Sequence, residues 1–285
     1  MATRRFRETR VDHGAQFFTA RDPRFQAHVD SWIEQGWVKK WFQNSPVDQD
    51  PTGHPRYCGL QGISDVPKRL ASSFPCLNQA KVDRIDRCED RWRLYAQGLA
   101  IAEAHWVLLT PPLPQTIDLM DQSNLALPLG ESDRWRELRY ERGFAVMVEL
   151  DQPSTIPNSG AWPVTDSEIL TWVADNQKKG ISPNKPALTI HTHSIYAEAH
   201  WEHPDSKRIP PVLEAAKRWM PGEVVHAEGH RWGFTKPINP LPYRTWVDDR
   251  GLAFAGDAFG GPRVEGAALS GIETGVALAE RIGSH

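Results

Sequence analysis

The sequence predicts a mixed α/β (α+β) fold built from two interleaved domains. Short β-branched and aromatic runs alternate with segments of helical periodicity along the whole chain. Segments of similar character are separated in sequence by segments of another character, which indicates one domain inserted in another. The length of 285 residues is enough for one large domain or two ordinary ones with real cores.

Composition excludes several function classes. The formal net charge of −3 gives no sign of nucleic-acid binding or of attraction to an anionic membrane. No apolar run approaches the ~20 residues that span a bilayer. The three cysteines, Cys58, Cys76 and Cys88, are too few and too scattered for a disulfide framework or a Cys-based zinc site. We interpret them as reduced thiols and expect a cytoplasmic protein.

The first half of the chain predicts two helices and three strands. Apolar residues recur with roughly helical spacing over residues 23–40, and residues 66–74 contain a proline suited to a first helical turn. The strand-like segments are residues 79–85, 91–97 and 105–110. The last of these is a continuous apolar run closed by two prolines, which is typical of an inner strand.

The second half alternates between the two kinds of element. Residues 166–179 have apolar positions that predict a helix with Asp166 or Ser167 as its N-cap. A short helix is predicted at 211–220 and a long one at 264–282. Strands are predicted at residues 143–150, 187–193, 223–235 and 252–255.

The C-terminal stretch from residue 251 to residue 282 holds seven glycines and seven alanines. Such a composition is poor for filling a core and suits a backbone that approaches something closely. Two stripes follow from helical spacing: a small one at Ala268, Gly271 and Gly275, and an apolar one at Leu269, Ile272, Val276 and Ala279. The helix N-terminus is a ready site for an anion or an electron-rich ring edge. The alternative is an ordinary buried terminal helix after a Gly-rich turn.

This stretch also carries a resemblance. The segment AGDAFGGPRVEGAALSG resembles the C-terminal flavin motif of FAD-dependent amine-oxidase-type flavoproteins, in particular their renalase-like branch. Further segments resemble that branch in the same order, and together they cover nearly the whole chain: RVDHGAQFFTARDPRF, GISDVPKRLA, WVLLTPPLPQ, WVADNQKKGIS and HRWGFTKP.

The resemblance implies an interleaved two-domain FAD-binding amine-oxidase-like fold. A Rossmann-type FAD domain would comprise residues 1–20, 76–115 and 241–285, and a mixed-sheet substrate domain residues 21–75 and 116–240. The family opens with a GxGxxG turn, which does not occur in these 285 residues. We expect a member that lacks the first ~30–40 residues, about one βαβ unit. An internal start, a truncated gene or a separate nucleotide-binding segment on another chain would each account for this.

The absent turn has a physical consequence. A Gly-rich turn and the helix N-terminus behind it cradle the pyrophosphate of a dinucleotide. We therefore expect these 285 residues alone to bind FAD weakly or not at all.

The resemblance also implies cofactor contacts. Gly256 and Asp257 would face the ribityl chain and phosphates, although Asp257 could equally stabilise a turn. Gly14, Ala15 and Gln16 would pass beside the isoalloxazine. The remaining contacts would be Arg4 near the phosphates or solvated, Val82 at the adenine, Pro111 below the nucleotide, the backbone N–H groups of Arg263, Val264 and Glu265 at the pyrimidine end of the ring, and Ala267 at a close approach.

The predicted substrate pocket is aromatic. His230, Trp232 and Phe234 alternate on a strand-like stretch and so share one face, with Phe17 added from the N-terminal loop. A packed aromatic face without substrate is the alternative. Asp12 and His13 are expected to fix that loop rather than to act chemically. No catalytic side chain is assigned.

A histidine-rich segment offers a metal alternative. Residues 191–203 read HTHSIYAEAHWEH, and four imidazoles are able to ligate zinc. No carboxylate or cysteine at ligand spacing completes a familiar pattern, so we interpret these as ordinary surface and loop histidines and expect no metal.

The resemblance implies a FAD-dependent oxidoreductase. It would take a hydride from an amine or a reduced nicotinamide-type small molecule onto flavin N5, with O₂ as the electron acceptor. Positioning alone serves such chemistry, without a side-chain acid or base. Two alternatives stay open: a desaturase-like flavoprotein acting on a lipophilic substrate, and a truncated, non-catalytic remnant or binding subunit without bound FAD.

Overall fold

The computed structural model describes residues 1–44 and 53–283. The chain divides into two compact units: unit 1 comprises Met1–Phe74 and Glu141–Thr235, and unit 2 comprises Pro75–Tyr140 and Lys236–His285. Each unit is therefore assembled from two separated stretches. Residues 1–20, assigned above to the FAD domain, fall in unit 1, and residues 116–140 fall in unit 2.

The described residues form both kinds of element in alternation. The strands are β1 (Thr3–Phe6), β2 (Thr9–Asp12), β3 (Val38–Phe42), β4 (Arg56–Gly59), β5 (Arg84–Cys88), β6 (Arg91–Ala96), β7 (Leu99–Ala104), β8 (Val107–Leu109), β9 (Tyr140–Leu150), β10 (Ala161–Pro163), β11 (Leu170–Asp175), β12 (Ala187–Thr192), β13 (Val224–Pro237), β14 (Trp246–Val247) and β15 (Leu252–Phe254). The helices are α1 (Pro23–Glu34), α2 (Asp65–Ala71), α3 (Leu113–Gln122), α4 (Ser132–Glu137), α5 (Ser194–Ala199), α6 (Asp205–Ala216), α7 (Asp257–Gly260) and α8 (Val264–Gly283).

Unit 1 is organised around a five-stranded sheet in the order β10-β11-β12-β9-β13. The pairs β10/β11, β11/β12 and β12/β9 are antiparallel, and Ile190 lies opposite Val173 on one side and Val146 on the other. On one face of these central strands apolar side chains form the main core of the unit, whereas the opposite face of β12 carries Thr189 and His191. Two hairpins, β1/β2 and β3/β4, complete its sheets.

The helix predicted at residues 166–179 is wrong, because strand β11 occupies the middle of that range. The predicted N-cap Ser167 instead holds a turn, since its hydroxyl accepts the backbone N–H groups of Ile169 and Leu170 at 3.2 and 3.0 Å. The β-branched and aromatic residues that follow then pair with β12. Tertiary strand pairing thus overrides a local helical pattern.

The helix predicted at residues 23–40 is confirmed only in its first part. Helix α1 begins at Pro23, behind Asp22, whose carboxylate accepts the Arg24 N–H at 2.9 Å. It ends before Gly36, which adopts a positive φ of 69°, and the chain enters β3 at Val38. The helix predicted at 66–74 is confirmed as α2, and the helix predicted at 211–220 begins earlier, as α6.

Unit 2 contains two three-stranded sheets. One has the order β14-β15-β8, in which β15 and β8 are parallel, and the other is the antiparallel meander β5-β6-β7. The predicted inner position of β8 is wrong: within the described residues it pairs with β15 alone, and Leu108 is 40% exposed. The strand predicted at 79–85 begins only at Arg84, whereas the predicted strand β15 and long helix α8 are confirmed.

Among the described residues, no helix combines the length and apolarity needed to cross a membrane.

Candidate functional site

The predicted site residues fall into two sets, one in each unit. Unit 1 holds the set Arg4, Gly14, Ala15, Gln16, Phe17, His230, Trp232 and Phe234. Unit 2 holds the set Val82, Pro111, Gly256, Asp257, Arg263, Val264, Glu265 and Ala267.

In unit 1 the N-terminal loop of residues 13–17 begins where β2 ends. Hydrogen bonds to several neighbouring segments fix the backbone at the start of this loop. The Asp12 N–H donates to Asn176 Oδ1 at 3.3 Å, and the Asp12 carbonyl accepts the Thr189 hydroxyl at 2.8 Å. The His13 N–H donates to the Ala2 carbonyl at 3.1 Å. The backbone therefore enters the loop already fixed by its neighbours.

Gln16 closes this loop on itself. Its Nε2 donates to the Asp12 carbonyl at 2.6 Å and to the Gly14 carbonyl at 3.1 Å. Two carbonyl acceptors fix the orientation of the amide, since only the NH₂ group donates. The Gln16 Oε1 atom is buried and has no hydrogen-bond partner among the residues that the structure describes. A buried acceptor of this kind is costly unless a ligand or water supplies a donor.

Asp12 is a structural carboxylate. Its side chain and that of Lys179 are completely buried, and Lys179 Nζ lies 2.6 Å from Asp12 Oδ2. The other oxygen, Oδ1, accepts the Thr3 hydroxyl at 2.5 Å and the Ile63 N–H at 2.9 Å. With both oxygens engaged, Asp12 is unsuited to act as a general base, which supports the loop-fixing role predicted for it.

His13, His230 and Trp232 form one aromatic group. Ring centroids are 4.8 Å apart for His13 and His230, 4.4 Å for His230 and Trp232, and 5.4 Å for His13 and Trp232. Trp232 Nε1 also donates to the His13 carbonyl at 2.9 Å. Two predicted pocket residues are thus brought together with the loop. A Cβ at Gly14 would lie 3.3 Å from Trp232 Cζ2, so this position favours glycine.

The histidines of this group are neutral at physiological pH. Burial, with His230 and Arg4 nearby, lowers the pKa of His13 to about 4. Burial and Arg4 also lower the pKa of His230. The Arg4 guanidinium lies 3.3 Å from the Glu228 carboxylate and 3.5 Å from His230 Nδ1, so its positive charge adjoins this group. The group therefore offers hydrogen-bonding imidazoles rather than imidazolium charge.

Phe17 belongs to a second aromatic group. Its ring centroid lies 5.8 Å from that of Phe42 and 5.5 Å from that of Trp172, and the Arg56 guanidinium lies over Phe17 and Phe42 at 6.0 and 5.3 Å. Ala15, which lies between His13 and Phe17 in sequence, is half-buried. Phe234, in β13, is also half-buried. Sequence reasoning missed the role of Lys179, because its segment was interpreted as the end of a helix.

In unit 2, Gly256 and Asp257 lie directly after β15. Gly256 has a φ of 137°, which glycine alone adopts readily. In the described part of the chain, a Cβ there would meet the Thr110 carbonyl oxygen at 3.7 Å and no other atom within 4 Å. Asp257 opens α7 and accepts the Tyr140 hydroxyl at 2.7 Å. Burial raises the pKa of both Asp257 and Tyr140. A half-buried carboxylate of this kind gains from additional hydroxyl or N–H donors.

The Gly-rich turn contains a close approach between two backbone segments. A Cβ on Gly260 would lie 1.8 Å from the Gly266 carbonyl oxygen, and one on Gly266 would lie 2.3 Å from the Gly260 carbonyl oxygen. These two glycines are therefore required to bring α7 against α8. A Cβ at Gly271 or Gly275 meets no atom of the described residues within 4 Å, so their packing does not require glycine at either position.

The predicted apolar stripe of α8 is only partly correct. Leu269 is buried, but Val276 is 56% exposed. The buried side instead carries polar residues whose hydroxyls are hydrogen-bonded: Ser270 accepts the Gly256 N–H at 3.0 Å, and Thr274 donates to the Ser270 carbonyl at 2.7 Å. Polar groups with local partners are thus buried where apolar periodicity predicted otherwise.

The first turn of α8 begins at Val264, and Glu265 is 6% exposed within it. The Arg263 N–H donates to the Gly261 carbonyl at 2.8 Å, so that donor is engaged within the chain. The Ala267 N–H donates to the Arg263 carbonyl at 3.0 Å, as the helix requires.

The two remaining residues of the unit 2 set flank strands. Val82 packs against the unit 2 core just before β5, and Pro111 follows β8. The Pro111 carbonyl accepts the Thr116 hydroxyl at 3.3 Å.

The histidine-rich segment is dispersed among ordinary contacts. His200 stacks on Tyr196 with centroids 4.2 Å apart, and His193 Nε2 lies 3.1 Å from the Ser167 carbonyl. His191 faces Gln16 at 3.5 Å. No group of three or more His, Cys, Asp or Glu side chains able to hold a metal ion occurs in the described part of the chain.

Comparison with known proteins identifies the fold. No family model matches the sequence. Cyclohexylamine oxidase from Brevibacterium oxydans IH-35A aligns with a TM-score of 0.62 and 17% identity over 82% of this chain and 56% of its own. Putrescine oxidase with bound putrescine aligns at 0.58 and 19% over 82% and 56%, and an oxidoreductase from Methanosarcina mazei at 0.53 and 17% over 78% and 55%. The chain spans about half the length of these proteins, and it has the amine-oxidase-like α/β fold that the sequence predicted.

Proposed function

We propose that this chain serves a FAD-dependent oxidoreductase that oxidises a small amine. The observation that carries the proposal is the fold shared with cyclohexylamine and putrescine oxidases, together with the Gly256–Asp257 turn at the end of β15. When bound, FAD supplies the hydride acceptor at N5 and passes the electrons to O₂. We assign the nucleotide contacts to residues of unit 2 and the substrate contacts to residues of unit 1.

The residues of unit 2 fit a flavin nucleotide. Asp257 offers a half-buried carboxylate whose pKa is raised by burial and whose Oδ1 is held by Tyr140. Hydroxyl donors such as those of a ribityl chain would stabilise its charged form. Because Gly256 has no side chain, a ligand is able to approach the backbone closely there. The first turn of α8, at Val264 and Glu265, favours an electron-rich group because of the partial positive charge at a helix N-terminus. Val82 and Pro111 are proposed for the adenine end.

The loop of unit 1 fits the ring of the cofactor. Gly14 and Ala15 are small, and the buried Gln16 Oε1 is an acceptor in need of an N–H donor. Because the loop is held by its neighbours before any ligand arrives, binding would cost little ordering entropy.

The chain's own residues would bind and orient the substrate rather than exchange its protons. Asp12 is committed to Lys179, Thr3 and Ile63, and His13 is neutral at physiological pH. Positioning beside a strong acceptor is sufficient for hydride transfer. We propose His230, Trp232, Phe234 and Phe17 as aromatic walls of the substrate pocket.

An amine is the favoured substrate class because two of the solved structures of similar fold are named for amines. A reduced nicotinamide-type molecule is the second candidate, from the renalase-like motifs. A cytoplasmic location is proposed from the three free cysteines.

The reductive half-reaction tests this function. The purified chain is mixed anaerobically with excess FAD and then with cyclohexylamine, putrescine or a reduced nicotinamide. The expected result is flavin bleaching by an amine well above the rate with FAD alone, and peroxide formation when air is admitted. The variant Trp232→Phe should slow the bleaching, whereas Trp201→Phe, in the same unit but stacked on Arg142 and Arg231, should not.

Two results would count against the proposal. If no donor bleaches the flavin faster than it bleaches free FAD, the proposed oxidase activity is refuted. If the reduced nicotinamide alone bleaches the flavin, the chain is still a flavin oxidoreductase, but its substrate is a reduced nicotinamide and not an amine.

A further inference from the structure

Lys179 is the feature that the proposed chemistry does not use. Its side chain is completely buried, and its ammonium lies 2.6 Å from Asp12 Oδ2, 2.6 Å from the Gln16 carbonyl oxygen and 4.5 Å from the ring centroid of Trp41. A buried ammonium is costly unless it is paired and hydrogen-bonded. Here the partners are a carboxylate, a carbonyl and an aromatic face, which together satisfy the charge.

The two oxygen partners of Lys179 stand at opposite ends of one loop. Asp12 is the last residue of β2, and Gln16 lies four residues later, so a single ammonium bridges the start and the end of residues 12–16. The Gln16 side chain makes a second bridge, from Nε2 to the Asp12 carbonyl. The ends of the loop are therefore bridged twice, by the Gln16 side chain within the loop and by Lys179 from outside it.

The outside closure comes from one short segment after β11. Asn176 Oδ1 accepts the Asp12 N–H at 3.3 Å, and Asn176 Nδ2 donates to the Thr189 hydroxyl at 3.0 Å. That hydroxyl in turn donates to the Asp12 carbonyl. Asn176 and Lys179 thus act from the same turn on both ends of the loop.

We propose that Lys179 is a positioning residue that sets the conformation of the N-terminal loop of residues 13–17. Through the Gln16 carbonyl it fixes where the Gln16 amide and the His13 ring lie. The inference rests on the proposed function, which puts this loop beside the flavin ring. Lys179 itself touches neither cofactor nor substrate in this account.

The test uses amide hydrogen exchange, which needs no ligand. In the wild-type chain the N–H groups of His13 and Phe18 donate to the Ala2 and Tyr57 carbonyls, so they report on the loop from both sides. Lys179→Met should speed exchange at these amides by tenfold or more and leave the amides of β12 unchanged. Lys178→Met is the matched control, because the neighbouring lysine donates instead to the Ser154 and Ile156 carbonyls.

A double variant separates positioning from mere stability. Lys179→Met leaves the Asp12 carboxylate buried without its cation, which threatens folding. The pair Asp12→Asn with Lys179→Met removes that charge and still lacks the bridge to the Gln16 carbonyl. The double variant should fold and keep the rapid loop exchange. Wild-type exchange rates in the double variant, or equal loosening of β12, would overturn the positioning role.

A measurement of FAD binding tests whether the loop conformation matters for the proposed function. Saturation-transfer NMR on the isoalloxazine protons should show FAD binding to the double variant weakened about tenfold against Lys178→Met. Rapid loop exchange with unchanged flavin affinity would overturn the functional half of the proposal. If the wild-type chain fails to bind flavin, the proposed function fails, and the exchange arm still decides the positioning role.

Discussion

His13 should make the folded chain sensitive to mild acid. Burial, His230 and Arg4 lower its pKa from 6.5 to about 4, against an opposing contribution from Asp12, and His191 adds in the same direction as His230. A lowered pKa means that the folded state holds the neutral ring while the unfolded state takes up a proton. Its contribution to stability is therefore complete above pH 6.5 and is lost as the pH falls from 6.5 to 4.

The magnitude follows from the two pKa values. With 6.5 for the unfolded chain and about 4 for the folded one, linkage gives a loss of about 2 kcal/mol on going from pH 7.5 to pH 5. His13 is 6% exposed, so solvent screening reduces this little. Urea unfolding at the two pH values measures the free energy directly.

The variant His13→Gln isolates the contribution. It lacks the titrating ring, so its free energy of unfolding should fall by about 2 kcal/mol less than that of the wild type between pH 7.5 and pH 5. His28→Gln, which removes an exposed histidine on α1, is the control and should behave as the wild type. Equal pH dependence in the wild type and in His13→Gln would refute the reasoning.

Three further changes test unit 2 by urea unfolding. Gly260→Ala should cost about 1–3 kcal/mol, because its Cβ meets the Gly266 carbonyl oxygen and the backbone must shift; an unchanged midpoint would contradict the required approach. Tyr140→Phe should cost about 1–3 kcal/mol by leaving the half-buried Asp257 carboxylate with one donor fewer, and no loss would mean that water replaces the hydroxyl. Phe254→Ala should cost about 3–5 kcal/mol, since the ring is fully buried, and a loss under 1 kcal/mol would contradict that.

Local patterns predicted the elements that carry the C-terminal candidate residues. The strand β15 and the long helix α8 are each encoded by neighbouring residues, and the structure confirms both elements. The alternation of His230 and Trp232 on a strand is confirmed for the same reason, because period-2 spacing is a local property.

Features that depend on residues far away in sequence could not be predicted from the sequence. The segment around Trp172 forms a strand because β12 pairs with it, which no local pattern reveals. The burial of Lys179 depends on partners far away in sequence, chiefly the carboxylate of Asp12 and the carbonyl oxygen of Gln16. In the same way, Gly260 is required by the approach of Gly266 rather than by a ligand.

The most direct test of the central claim is the visible difference spectrum of FAD titrated with the purified chain. We predict weak, saturable perturbation of the flavin band, because these 285 residues include the residues proposed for the flavin ring and the ribityl chain but no GxGxxG turn for the pyrophosphate. Asp257→Ala should abolish the perturbation, whereas Asp249→Ala, at a 97% exposed side chain, should preserve it. A spectrum identical to that of free FAD throughout the titration would contradict the assignment of a flavin site.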